Sequence, residues 1–190
     1  AERVATTAEL QQECGVAPDG LAPHFVMIES TATAGLQLSM AVQGDPGRPP
    51  VVLVHGFPDF WCGWARVIPE LAQRYFVVVP DLRGYNRSGK PGDPNDPEDL
   101  QDYTTNVLAQ DLSDVVHYAA AQSQQKVAVV AHDWGAIIAW PFAARFAGDL
   151  DKLMAISVAH PAAMSQFLAS TDPAVRTAQL AQAQALGYIS

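Results

Sequence analysis

Cysteine is nearly absent. Cys14 and Cys62 are the two in 190 residues, so no disulfide framework carries the fold and the chain must rely on buried apolar surface. Basic residues are also few: 11 Lys and Arg stand against 20 Asp and Glu, for a net charge of −9. Without clustered cations the chain is a poor partner for nucleic acid or for anionic membranes. Long hydrophobic runs are missing too. The longest, residues 136–144, falls well short of the roughly 20 residues that span a bilayer. Charged residues make up 16% of the chain and hydrophobic ones 49%, a balance that excludes extended disorder and fits a single packed domain. No targeting signal is legible at Ala1-Glu2-Arg3, and a cytoplasmic protein is the default expectation.

What is present reads as alternating strands and helices. Thr6 or Thr7 is positioned to cap a short helix ending near Cys14. Residues 24–29 and 36–42 alternate apolar and polar side chains, as half-buried strands do. Residues 51–54, 76–79, 127–130 and 153–158 are short, apolar and largely β-branched, the signature of strands buried on both faces of a parallel sheet. Helical spacing fills the intervals at 64–74, 104–122 and 136–147, with Pro141 expected to kink or shorten the last. Residues 89–100, rich in Pro, Gly and Asp, predict a surface loop, and the Ala/Gln-rich tail from Ser165 predicts helix. The fold class is therefore α/β, a mostly parallel sheet flanked by helices.

Three constellations follow predicted buried strands: His55-Gly56-Phe57-Pro58, the stretch from Asp81-Leu82-Arg83-Gly84-Tyr85 to Ser88, and Ala131-His132-Asp133-Trp134-Gly135. Ligands of parallel sheets bind at the carboxyl ends of strands, so all three can converge on one crevice. The third has the form small–x–Asp–x–small. A sharp strand-to-helix turn strains its central residue and tolerates little bulk two positions away, a condition that Ala131 and Gly135 meet. A carboxylate at a helix N-terminus is stabilised as the anion, so it can attack saturated carbon without a base to activate it. Hydrolysing the resulting ester then requires a general base and an oxyanion hole.

On these residues the chain resembles the α/β-hydrolase superfamily and, within it, the soluble epoxide hydrolases; the resemblance covers about residues 23–161, with Trp61 and Trp64 following the first motif. It implies Asp133 as the nucleophile, Phe57 and Trp134 as backbone oxyanion donors, a small apolar epoxide as substrate, a vicinal diol as product, and neither cofactor nor metal. It further implies domains at 1–161, the N-terminal part of the hydrolase core, and 162–190, the start of a helical cap. Tyr188 falls where the family places the first cap tyrosine that donates to the epoxide oxygen. The family's catalytic histidine and second acid have no counterpart in this sequence, so the chain by itself is expected to stall. Its own missing C-terminal segment, or a second copy, is the expected partner. Haloalkane dehalogenases share the Asp-Trp-Gly elbow but typically carry Asn where this chain has Phe57. A non-catalytic chain of the same fold, used for binding, is the other alternative.

Around the nucleophile, His55, Pro58, Trp61 and His160 are the expected pocket residues. His55 and His132, inside motifs, also suit hydrogen bonding beside the loops. Trp61 suits packing, and Arg83 suits a loop-fixing ion pair. His160 ends a predicted strand and is a candidate substitute base. His24 and His117 suggest no role.

Overall fold

A computed structural model describes residues 4–93 and 96–185. Two compact units divide it, Ala1–Val158 and Ala159–Ser190. The first is built on a six-stranded sheet: β1 (His24–Glu29), β2 (Gln37–Gln43), β3 (Pro50–Val54), β4 (Phe76–Pro80), β5 (Val127–His132) and β6 (Leu150–Ile156). Their order is β1-β2-β4-β3-β5-β6. The hairpin β1–β2 and the β2–β4 pair are antiparallel, whereas β4, β3, β5 and β6 run parallel. Every residue of β3 and β4 is buried, which explains their unbroken apolar, β-branched sequences.

Chain order reverses at β3, which lies between β4 and β5. Loops leaving neighbouring strands on either side of such a point diverge and open a crevice at the strand ends. All three motifs lie there.

Helices cover both faces. On one, α3 (Thr105–Ser123) and α4 (Trp134–Arg145) pack Leu112, Val116, Ile138 and Phe142 onto Val52, Val78 and Val129. On the other, α1 (Thr7–Cys14), a 3-10 turn (Trp61–Trp64) and α2 (Ile68–Leu71) bury Leu10, Trp61 and Ile68 against Leu53, Val77 and Val79. α1 opens as its sequence predicts: Thr6 caps it, accepting from the Glu9 N–H while the Glu9 carboxylate accepts from the Thr6 N–H.

Several expectations need correcting. The helix predicted over 64–74 is instead a 3-10 turn followed by one turn of α2, because Pro69 can occupy only a helix's first turn. α4 starts at Trp134 and runs through Pro141 to Arg145. β6 begins three residues earlier than predicted, ends at Ile156, and is half-buried rather than buried. It is the edge strand, paired only with β5 among the described residues, and Met154 is 59% exposed. The loop after Gly89 ends in a second 3-10 segment, Pro97–Tyr103. The two cysteines are joined: a Cys14–Cys62 disulfide ties the end of α1 to the 3-10 turn.

The second unit holds α5 (Pro161–Ala169) and α6 (Pro173–Ala185), with the Gln179 amide donating to the Phe167 carbonyl. Among the described residues no helix is long and apolar enough to cross a membrane.

Candidate active site

Asp133 sits between β5 and α4 with φ 52° and ψ −122°, a conformation that L-residues rarely adopt. Its surroundings enforce the strain. The Asp133 N–H donates to the Ile156 carbonyl of β6 at 3.2 Å, and its own carbonyl accepts from the Ala136 and Ile137 N–H groups that begin α4. The side chain is left at the N-terminus of α4, half-exposed at the strand ends.

Two glycines make the turn possible. A Cβ on Gly135 would lie 2.5 Å from the His55 carbonyl oxygen, and one on Gly56 would lie 2.5 Å from both Cβ and Oδ1 of Asp133. Both distances are far inside contact. Nothing local in the sequence signals the steric role of Gly56, because the neighbour it makes room for is 77 residues away.

The Phe57 N–H donates to Asp133 Oδ1 at 2.9 Å. One carboxylate oxygen is thereby held by a backbone donor. Trp134 is the first residue of α4, and a first-turn N–H has no acceptor inside its helix. The rings of both residues are open to solvent, Phe57 at 65% and Trp134 at 49%. Pro58 is exposed beside them, following a cis peptide.

His55 does not line a pocket. It is 1% exposed, and both ring nitrogens are committed to backbone. The Leu82 N–H donates to Nε2 at 2.9 Å, so Nδ1 carries the proton and donates to the Gly56 carbonyl at 2.9 Å. The ring thus ties the loop after β3 to the loop after β4. Burial lowers its pKa against opposing contributions from the Gly56 carbonyl and the Asp59 charge, which keeps the ring neutral. Trp61 is corrected likewise: it is fully buried in the core on the α1 face, its indole N–H donating to Glu13 at 3.0 Å. His160 lies in the second unit, where its Nδ1 accepts from the Ala162 N–H and caps α5. Tyr188 lies outside the described residues.

The middle motif is a frame. Arg83, fully buried, holds Asp111 through two bonds of 2.7 and 2.8 Å and also donates to Ser30, Thr33 and the Asp102 carbonyl. Asp81 accepts from the Trp61 and Arg87 N–H groups and from the Asn86 amide. Burial nonetheless pushes its carboxyl up to about 6, with the nearby Glu13 charge adding to the effect. The sequence suggests no role for Tyr85. Its ring meets His55 edge-on, centroids 5.0 Å apart. Burial first, and then the charge of Asp133, raises the phenol's pKa. Only the tertiary structure brings it toward the nucleophile.

Two cavities lie elsewhere. A 490 Å³ groove is lined by Leu53, Trp64, Leu71, Tyr75 and Val130 on the α2 face, and a 360 Å³ pocket by Lys90, Pro91 and Tyr103. Neither includes Asp133. The described residues hold no cluster of three or more metal-ligating side chains.

Comparison with known proteins bears on this geometry. A family model described as the alpha/beta hydrolase fold matches residues 49–186. A Bacillus subtilis AB hydrolase superfamily protein is 37% identical over 147 residues, covering 77% of this chain and 46% of the relative. Mouse epoxide hydrolase 4 is 31% identical, covering 71% and 35%. Among solved structures, a Bacillus megaterium epoxide hydrolase in complex with an inhibitor aligns with TM-score 0.63 and 31% identity, over 77% of this chain and 47% of that one. A Vigna radiata epoxide hydrolase aligns with TM-score 0.60 and 30% identity, over 72% and 38%. The chain spans less than half the length of these relatives.

Proposed function

The chain belongs to the α/β-hydrolase fold family and resembles its epoxide hydrolases, and from that premise we propose that Asp133 opens an epoxide by forming an ester with one of its ring carbons. The observation that carries this reading is the 2.9 Å bond from the Phe57 N–H to Asp133 Oδ1 at a strained elbow. It divides the labour of the two oxygens. Oδ2 attacks the ring carbon, the carbon–oxygen bond of the oxirane breaks, and the released alkoxide takes up a proton from solvent. Oδ1 becomes the ester carbonyl with a donor already in place.

Water then adds to that carbonyl. The negative charge gathers on Oδ1, where the N–H groups of Phe57 and Trp134 stabilise it. Collapse releases a vicinal diol and returns the carboxylate with one oxygen from water. The adding water must lose a proton to a base, and His55 is spent on backbone bonds. In the chain of residues 1–190 we therefore expect the ester to accumulate. Phe57 offers an apolar ring and a backbone N–H but no side-chain amide, which disfavours a halide-releasing reaction at the same elbow.

The test is intact mass after incubation with an aryl epoxide such as styrene oxide, followed by peptide mapping. The expected result is one added epoxide mass on the peptide carrying Asp133, absent in Asp133→Asn. No adduct and no diol, or an adduct that survives Asp133→Asn, would overturn the assignment.

A further inference from the structure

We propose that Ser157 is a positioning residue for the nucleophile: its left-handed backbone holds the Ile156 carbonyl on the Asp133 N–H and so keeps the Asp133 carboxylate in place at the elbow. This rests on Asp133 being the epoxide-opening nucleophile.

Among the described residues, four other than glycine have positive φ: Asn86, Gln124, Asp133 and Ser157. Three have local reasons. Asparagine tolerates the left-handed region, Gln124 closes α3 in the form common at helix ends, and Asp133 is the elbow itself. Ser157, at φ 66°, is none of these. It caps neither α4 nor α5. Its side chain is exposed, so packing of that side chain does not impose the turn.

The register of the sheet supplies the reason. His132 and Ile156 are the last partners of β5 and β6. Asp133 and Ser157 come next on their strands, so both strands leave extended geometry at the same level. The bond that joins them runs from the Asp133 N–H to the Ile156 carbonyl, at 3.2 Å. That carbonyl and the Ser157 N–H share one peptide plane, whose orientation is set jointly by ψ of Ile156 and φ of Ser157. A residue with a side chain escapes positive φ with least motion by turning this plane over, as between type II and type I turns. Turning it would point the Ile156 carbonyl away from Asp133. The Asp133 N–H would lose its acceptor, and a residue itself strained at φ 52° would be free to relax, taking Oδ1 off the Phe57 N–H. The two strained residues are thus coupled through one hydrogen bond.

The experiment is a substitution series at Ser157 ranked by backbone preference. Glycine and asparagine adopt positive φ readily, alanine less so, and a β-branched residue hardly at all. Rates of Asp133 adduct formation with styrene oxide, read by intact mass, should follow that order. Ser157→Gly and Ser157→Asn should be no slower than wild type, and Ser157→Val at least about tenfold slower, because small displacements of a reacting group cost that much. Amide hydrogen exchange is the second readout and needs no substrate. The Asp133 amide should lose protection in Ser157→Val while the amides within β5 keep theirs. If Ser157→Val does not fold, the rate of Ser157→Asn above Ser157→Ala decides in its place. A wild-type rate and a protected Asp133 amide in Ser157→Val, or an Asn variant no faster than the Ala variant, would overturn the proposal. Slowing in both Ser157→Gly and Ser157→Asn would also overturn it, by assigning the effect to the hydroxyl. Absence of any Asp133 adduct in wild type would instead overturn the reading on which it rests, and amide exchange would still decide whether Ser157 positions Asp133.

Discussion

Asp133 and Gly56 illustrate how a reactive residue and an inert one depend on each other. The elbow thrusts the carboxylate toward the loop after β3, and that loop can approach because Gly56 has no side chain. Gly56→Ala would place a methyl 2.5 Å from Asp133 Cβ and Oδ1. The clash is with a residue fixed by backbone bonds, so the loop must yield and carry the Phe57 N–H away from Oδ1. We expect a destabilisation of about 1–3 kcal/mol and, because the Asp133 carboxylate is pushed out of line with the ring carbon, a loss of adduct formation of about 100-fold, measured by denaturant unfolding and by mass. A variant that folds normally and reacts at the wild-type rate would show that the elbow tolerates the methyl. The three motifs were legible as sequence because each sits at the end of a buried strand. Gly56's steric role and Tyr85's approach to Asp133 were not, since both are contacts between segments distant in sequence.

At the scale of elements, α1 is held by more than packing. Consecutive residues at its end make consecutive links to the 3-10 turn: Glu13 accepts from the Trp61 indole, and Cys14 is joined to Cys62. Glu13 also binds Arg87 and Asn86. Burial of Glu13 raises its pKa, but the bonds from Arg87, Asn86 and Trp61 together outweigh that and hold the carboxyl below its usual range. The disulfide closes a loop with a sequence separation of 48, for which chain entropy gives at most about 4 kcal/mol. Double substitution Cys14→Ser, Cys62→Ser should lower unfolding free energy by about 2–4 kcal/mol, and a reductant should do the same to wild type but nothing to the variant. Equal stability of all three forms would contradict a stabilising bridge. Two cysteines 48 positions apart gave no such signal in the sequence. The strands at the centre of the sheet, by contrast, follow the sequence closely, because a run such as Val51-Val52-Leu53-Val54 can be satisfied only by burial on both faces, whereas β6 at the edge departs from it. The helix expected over 64–74 failed because hydrophobic spacing there competes with Pro69, and the proline wins.

For the molecule as a whole, two buried titratable groups give stability opposite slopes with pH. Asp81 titrates at about 6 in the fold against 3.8 for the free side chain. Its folded value is raised, so its contribution is present below about pH 4 and is lost as pH rises through 6. That shift corresponds to about 3 kcal/mol. His55 is shifted the other way. Its folded value lies below 6.5, so its contribution is present above pH 6.5 and is lost as the ring is forced to protonate, when Nε2 can no longer accept from Leu82. Thermal melts from pH 4 to 8 should therefore show a falling limb between about pH 4 and 6 in wild type, opposed in part by His55. Asp81→Asn should be less stable overall but gain a rising limb toward pH 6.5, because the His55 contribution is then unopposed. A variant profile parallel to wild type would remove Asp81 as the source of the falling limb.

The sequence by itself determined the strands, the class of sheet they build, the acidic elbow and the family to which those motifs point. Each is set by local rules: burial of apolar runs, the conformational freedom of small residues, the anion preference of a helix start. Tertiary structure alone decided which motif residues serve as frame and which face the opening. His55 and Trp61 became buried struts and Tyr85 a neighbour of the nucleophile, while the ion pair expected of Arg83 found its partner in Asp111. Those outcomes depend on which loops the reversal of strand order at β3 brings together, and no residue's own chemistry encodes what will lie across from it.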